Sequence, residues 1–141
     1  MILYLDTSAL VKLYIEETGS QEVRRAVEEA RIISTSRVAY VEARAGIARK
    51  YREQELSKEE HDQVVEDLIR DWDNYFIVEV SESVAKLGGT LTERQSLRGF
   101  DALHLASALL LQNRTRLHVS FSCFDEQLKA AAEVEGLAGK S

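Results

Sequence analysis

The chain has 141 residues and a net charge of −6 from 18 basic and 24 acidic side chains, with 45% hydrophobic and 30% charged residues. This length and balance predict one folded domain over residues 1–141 and exclude both a disordered chain and a second hydrophobic core. A single cysteine, Cys123, excludes an internal disulfide and a zinc site built from several cysteines, so a reducing, cytoplasmic setting is expected. Apolar runs are only a few residues long, far too short for a membrane span.

Short apolar runs alternate along the chain with longer segments of helical periodicity. Four buried strands are predicted, at residues 2–5, 32–35, 75–80 and 117–121. Helices are predicted at residues 8–16, 20–30, 37–53, 58–73, 82–96 and 101–113, and after Asp125. Strands separated by helices need crossover connections. We therefore expect an α/β protein with three layers, in which helices flank both faces of a mostly parallel sheet.

Charge is divided unevenly along the chain. Residues 24–52 hold eight basic and three acidic side chains, net +5, whereas residues 53–82 hold two basic and eleven acidic side chains, net −9. The basic side chains that lie on or beside one predicted helix are Arg37, Arg44, Arg49, Lys50 and Arg52. Such a stripe indicates either contact with a phosphate backbone or an acidic partner, or a solvated helix face with salt bridges.

Three aspartates occupy the ends of predicted elements. Asp6 ends the first strand, Asp125 follows the last strand, and Asp101 opens a helix. Each of them has an ordinary explanation as the N-cap of the following helix. In parallel sheets, however, ligands bind beyond the carboxyl ends of the strands, so side chains at these positions can also form a site.

Glu42 stands in a different setting. In the predicted helix 37–53 it shares a face with Val38, Ala45 and Gly46, and this small, apolar face is expected to pack on the sheet. An isolated buried charge is costly and needs a partner, such as a metal ion. Two alternatives stay open, namely a pairing with an arginine and a place at the edge of the apolar face.

Together, Asp6, Glu42, Asp101 and Asp125 form a candidate site at the carboxyl end of the sheet. Carboxylate sites of this kind suit Mg²⁺ or Mn²⁺, which keep several waters and bridge to a substrate phosphate. The chemistry indicated is hydrolysis of a phosphodiester bond, with the carboxylates acting as metal ligands or as a base.

The segments around these four residues resemble the acidic motifs of PIN-domain ribonucleases of the VapC toxin type. The matching segments are LDTSALVK at 5–12, SRVAYVE at 36–42, RGFDALHLA at 98–106 and FDEQL at 124–128. The resemblance spans residues 2 to 132 and implies a Rossmann-like PIN fold with RNA cleavage that depends on Mg²⁺ or Mn²⁺. It implies Asp6 and Asp101 as metal ligands within the catalytic set, frequent homodimers, and inhibition by a VapB-type antitoxin.

Two features depart from the family pattern. Cys123 stands where the family often has Ser or Thr, so a hydroxyl contribution is not expected there. The tail from Gly136 is weakly apolar, so the final edge strand is expected to be short or missing. Beside Asp101, Arg98 is interpreted either as a contact to RNA phosphate or as a surface charge, and His104 as a packed histidine rather than a ligand.

Other function classes fit the sequence less well. A phosphatase of the haloacid-dehalogenase type would need a second acid where Ser8 stands, and a receiver-type phosphoacceptor would show an acidic pair near the first strand and a late lysine. The main alternative is a PIN-like module that binds RNA or a protein without nuclease activity. Retained RNA binding without metal-dependent cleavage would favour that alternative.

Overall fold

The computed structural model describes residues 1–139, in which five short strands alternate with seven helices. The strands are β1 (Ile2–Leu5), β2 (Ile32–Ser36), β3 (Phe76–Val78), β4 (Val119–Ser122) and β5 (Ala138–Gly139). The helices are α1 (Thr7–Tyr14), α2 (Ser20–Glu29), α3 (Arg37–Arg52), α4 (Lys58–Trp72), α5 (Glu82–Arg94), α6 (Gly99–Thr115) and α7 (Glu126–Val134).

The strands form one parallel sheet in the order β3-β2-β1-β4-β5. β1 is central, and its last residue, Leu5, pairs with Ser122 at the end of β4. The chain leaves β1 and β4 at the same edge of the sheet, where α1 and α7 begin. This edge is the place where parallel sheets carry their ligand sites.

Alternate residues of β1 face two separate hydrophobic cores. Ile2 and Tyr4 pack with residues of α5, α6 and α7, whereas Leu3 and Leu5 pack with residues of α1 to α4. Because side chains of a strand alternate between the faces of the sheet, a buried run such as β1 needs helices on both sides. The predicted three-layer architecture is therefore confirmed.

The predicted elements are confirmed in order and type, and their ends differ by a few residues. The structure shortens the predicted strand 75–80 to 76–78 and places the predicted strand 117–121 at 119–122. The predicted short edge strand is present as β5, with two residues. Lys140 and Ser141, the last two residues of the predicted domain, lie outside the described residues. Over residues 1–139, no helix combines the length and apolarity needed to cross a membrane.

Candidate active site

Asp6 lies at the carboxyl end of β1 and is the N-cap of α1. Its Oδ1 accepts hydrogen bonds from the Ala9 backbone nitrogen at 2.9 Å and from Ser8 Oγ at 2.7 Å. The residue is only 5% exposed. Burial raises the pKa of the Asp6 carboxyl, and the nearby charge of Asp101 raises this pKa further, although the two hydrogen bonds oppose the shift. The surroundings of the Asp6 carboxylate therefore carry too little positive charge to offset its burial.

Asp125 follows β4 and caps α7 in the same way. Its Oδ1 accepts a hydrogen bond from the Leu128 backbone nitrogen at 2.9 Å. Strand β4 neighbours β1, and the Asp6 backbone nitrogen donates to the Ser122 carbonyl oxygen at 3.1 Å. Both strand-end aspartates are therefore helix caps, as the ordinary explanation predicts, and both also lie at one edge of the sheet.

Asp101 is not a helix cap, and that interpretation of it was wrong. Helix α6 begins two residues earlier, at Gly99, with Arg98 in the N-cap position and no side-chain capping hydrogen bond. Asp101 lies in the first turn, where Arg98 Nε and Nη2 each donate to its Oδ2 at 3.3 Å. The Arg98 Nη2 also lies 3.9 Å from Asp125 Oδ2, so this 82% exposed guanidinium links two of the carboxylates.

Glu42 reaches the same edge from α3, but not from the predicted face. The buried residues of α3 are Ala39, Ala43 and Ile47, whereas Ala45 is exposed. Glu42 is half-buried at the edge of this core-facing stripe, which was one of the two alternatives. Its partners are Thr7 and a histidine rather than an arginine.

Two hydrogen bonds hold the Glu42 carboxylate. Thr7 Oγ1 donates to Oε1 at 2.5 Å, and His104 Nε2 lies 3.2 Å from the same oxygen. Burial by itself would raise the pKa of Glu42, but the hydrogen bonds from His104 and Thr7 outweigh burial and lower this pKa. Glu42 is therefore an ionised carboxylate at neutral pH.

The four predicted carboxylates line one cleft of about 330 Å³. The residues around it are Asp6, Thr7, Ser8, Glu42, Arg98, Phe100, Asp101, His104, Phe124 and Asp125. The structure thus brings all four predicted site residues together, from four different elements of the chain. No residue of the predicted basic stripe lines this cleft. Three of them have partners elsewhere, since Arg37 and Lys50 form ion pairs with acidic residues and Arg44 donates to Tyr40.

The donor set of this cleft fits a small, hard cation. Within residues 1–139, no three His, Cys, Asp or Glu side chains lie close enough to form a complete cage for a metal ion. Among the described residues, the two hydrogen bonds of the Asp6 carboxylate both go to Oδ1, which leaves Oδ2 available as a ligand atom. An ion shared by Asp6 and Asp101 would keep most of its waters, as Mg²⁺ usually does, and would relieve the repulsion between them.

Two buried side chains behind the cleft, Tyr4 and His104, make contacts that the sequence patterns did not predict. His104 is a packed histidine as predicted, at 3% exposure, but it also contacts Glu42 and Thr7. The Tyr4 hydroxyl lies 2.8 Å from the other ring nitrogen of His104. The one available signal was the position of His104 three residues after Asp101, one helical turn along the same face.

The sequence of residues 3–134 matches the family model of the PIN domain. The chain belongs to the PIN-domain family. Within this family it is 38% identical over 112 residues to Ribonuclease VapC45 from Mycobacterium tuberculosis (strain CDC 1551 / Oshkosh), a match that covers 77% of this chain and 75% of the relative. The resemblance seen in the sequence motifs is thereby confirmed.

Solved structures share the PIN fold at low sequence identity. FitAcB from Neisseria gonorrhoeae matches with a TM-score of 0.67 at 17% identity, over 100% of this chain and 97% of that chain. VapBC2 from Rickettsia felis, bound to a DNA fragment from its promoter, matches with a TM-score of 0.65 at 16% identity, over 99% and 98%. At these identities the likeness concerns the fold of the PIN domain.

Proposed function

We propose that this PIN domain is a metal-dependent endoribonuclease and the toxin of a VapBC-type toxin–antitoxin pair. The observation that carries the proposal is the single cleft in which Asp6, Glu42, Asp101 and Asp125 meet at the carboxyl end of the sheet. The relatives named Ribonuclease VapC support RNA as the substrate. The cytoplasm, where RNA and an antitoxin are both available, is the expected location.

Asp6 and Asp101 are the residues that would hold Mg²⁺ or Mn²⁺. When bound, the ion lowers the pKa of water and stabilises negative charge on the phosphate. Glu42 is ionised and fixed by two hydrogen bonds, so it can accept a proton from the attacking water or orient that water. Asp125 adds a further charge at the rim, while its Oδ1 stays bound to α7.

Arg98 is the candidate contact for an RNA phosphate. Its side chain is 82% exposed and reaches Asp101 and Asp125 only through long ion pairs, of 3.3 and 3.9 Å. Exposed pairs of this kind contribute little to stability, so the guanidinium can exchange its carboxylate partners for a phosphate. Phe100 lies beside it on the cleft and offers an exposed ring on which a base can stack.

The test of the nuclease proposal is cleavage of a mixed RNA panel with Mg²⁺ or Mn²⁺, with EDTA and the Asp101→Asn variant as controls. We expect cleavage that stops in EDTA, because EDTA removes the metal ion, and in the variant, because Asn lacks the charge of a carboxylate proposed to bind the ion. Asp101 caps no helix, so the variant should keep the fold. Folded wild-type chain that binds RNA with no metal-dependent cleavage would instead favour the binding module.

An antitoxin and a second copy of the chain are the proposed protein partners. Solved structures with the same fold include a toxin–antitoxin complex from Klebsiella pneumoniae. Expression from the native operon, with a tag on this chain, is expected to recover a small second protein that suppresses cleavage. Recovery of fully active chain alone would contradict the proposal of an antitoxin.

The proposed homodimer is tested by light scattering of the purified chain. The measured mass should be twice the chain mass of 15.9 kDa, and a monomer would contradict the proposal of a homodimer.

A further inference from the structure

A line of hydrogen bonds runs from the centre of the sheet to the Glu42 carboxylate. The Tyr4 hydroxyl lies 2.8 Å from His104 Nδ1, and His104 Nε2 lies 3.2 Å from Glu42 Oε1 and 3.1 Å from Thr7 Oγ1. Three elements of the chain besides β1 take part, because Thr7, Glu42 and His104 belong to α1, α3 and α6. Together these contacts give one carboxylate a continuous buried support.

One set of hydrogen-bond directions satisfies every group in this line. A tyrosine hydroxyl carries its proton at neutral pH, so that of Tyr4 can donate to Nδ1, which lies 2.8 Å away. In this arrangement the ring of His104 carries its proton on Nε2, which donates to Glu42 and Thr7. Thr7 in turn donates its own proton to Glu42. One neutral tautomer of His104 satisfies all four groups.

The support is rigid as well as hydrogen-bonded. The ring of His104 is 3% exposed and meets the Tyr4 ring edge-on, with centroids 5.9 Å apart, and Tyr4 stacks on Phe121 of β4 at 5.6 Å. Without these contacts, a half-buried carboxylate at the edge of the core-facing stripe of α3 could rotate about its side-chain bonds. Contacts through packed rings remove this freedom before substrate binds.

We propose that His104 is a positioning residue for Glu42, held in its Nε2-protonated tautomer by the Tyr4 hydroxyl. The inference rests on the proposed nuclease function, in which Glu42 accepts a proton from water or orients it. His104 does not touch the substrate in this role. It acts by keeping one Glu42 oxygen occupied, so that the carboxylate presents its other oxygen in a single orientation.

Steady-state kinetics distinguish this positioning role from a role of His104 in packing alone. The substrate is the RNA of the panel that the wild type cuts fastest. His104→Leu is expected to lower kcat about 10- to 100-fold with little change in KM, the usual loss when an outer hydrogen-bond partner of a site is removed. His104→Gln keeps an N–H near the position of Nε2 and should restore part of kcat. Tyr4→Phe removes only the hydroxyl and should give a smaller loss of the same kind.

Tyr14→Phe is the matched control for Tyr4→Phe. The Tyr14 hydroxyl is also hydrogen-bonded, to Asp71 and Tyr75, but Tyr14 lies outside the cleft. Its loss should leave kcat and KM unchanged. Thermal unfolding of each variant shows whether it is folded, and if His104→Leu does not fold, His104→Gln and Tyr4→Phe carry the test.

Nitrogen-15 NMR of the histidine rings gives a readout that needs no cleavage. The wild type is expected to show His104 as the Nε2-protonated tautomer, and Tyr4→Phe is expected to lose this preference. A folded His104→Leu variant with wild-type kcat, or a His104 ring protonated on Nδ1, would overturn the proposal while leaving the nuclease function intact. Wild-type chain that cuts no RNA, with the tautomer as expected, would instead overturn the nuclease function and this role with it.

Discussion

Replacement of Asp6 by Asn is expected to abolish RNA cleavage and to raise the unfolding temperature of the metal-free chain. The loss of activity follows from the removal of one of the two carboxylates proposed to bind the cation, and we expect kcat to fall at least about 100-fold. The gain in stability has a separate cause. The Asp6 carboxylate is buried beside the charge of Asp101, whereas an amide carries no charge and its oxygen still caps α1.

The stability gain depends on pH in a defined direction. Burial favours the neutral form of Asp6, so its pKa is higher in the folded chain than its ordinary value of 3.8. The penalty for its charge is therefore fully present above the folded pKa and disappears as the pH falls below the unfolded value. The difference in unfolding temperature between Asp6→Asn and the wild type should be largest near neutral pH and should shrink in acid.

Thermal unfolding in EDTA and then in Mg²⁺ measures both effects. Added Mg²⁺ should stabilise the wild type, because a ligand that binds only the folded state shifts the equilibrium, and it should stabilise Asp6→Asn much less. Ser8→Ala is a useful control, since it removes one hydrogen bond to Asp6 without changing charge. An Asp6→Asn variant that cuts RNA at the wild-type rate would refute the site.

Replacement of Phe121 by Ala should produce the largest loss of stability among the changes considered. Phe121 lies in the middle of β4, is 2% exposed and stacks on Tyr4 at 5.6 Å. Removing a buried phenylalanine ring costs about 3–5 kcal/mol. Domains of this size have a free energy of unfolding of about 5–15 kcal/mol, so the variant should lose a large share of its stability.

Urea unfolding followed by circular dichroism provides the measurement for Phe121→Ala. The midpoint should move to a much lower urea concentration with an unchanged slope. Phe76→Ala is the matched control, because Phe76 lies on the edge strand β3 with 54% of its surface exposed and should cost about 1 kcal/mol or less. Equal losses in the two variants would contradict the assignment of the sheet centre as the core.

Local patterns were sufficient to predict the order of the elements. Strands β1, β2 and β3 contain short apolar runs, and the helices have an apolar face or a clear start, such as the capping box between Ser57 and Glu60 that begins α4. The alternation of strands and helices then restricts the topology to a parallel sheet with helices on both faces. The closeness of the aspartates after β1 and β4 follows from this architecture, because neighbouring parallel strands end at the same edge of the sheet.

The helix face that carries Glu42 could not be read correctly from the sequence. Helix α3 has small residues on two adjacent faces, and periodicity alone does not choose between them. The larger Ile47 was the better indicator of the buried side. The start of α6 could not be predicted from the sequence either. This helix begins at Gly99 rather than at Asp101, and no side chain caps it.

The contacts of His104 could not be predicted from local patterns in the sequence. Its partners Tyr4 and Glu42 are 100 and 62 residues away in sequence. A single histidine within an apolar helix gives no sign of which distant side chains it meets. For the basic stripe, the contacts favour the alternative of a solvated helix face with salt bridges, because the fold brings Arg37 of the basic segment against Glu79 of the acidic segment.

Two of the carboxylates in the cleft are also helix caps, and this changes how related sequences should be compared. Asp6 and Asp125 each begin a helix, so a relative that has lost catalysis still has a folding reason to keep a capping side chain at these positions, which Asn, Ser or Thr supplies as well as Asp. Glu42 and Asp101 begin no helix, so their replacement removes no cap. An uncharged cap at position 6, or loss of the acid at position 42 or 101, is thus the expected mark of an inactive descendant.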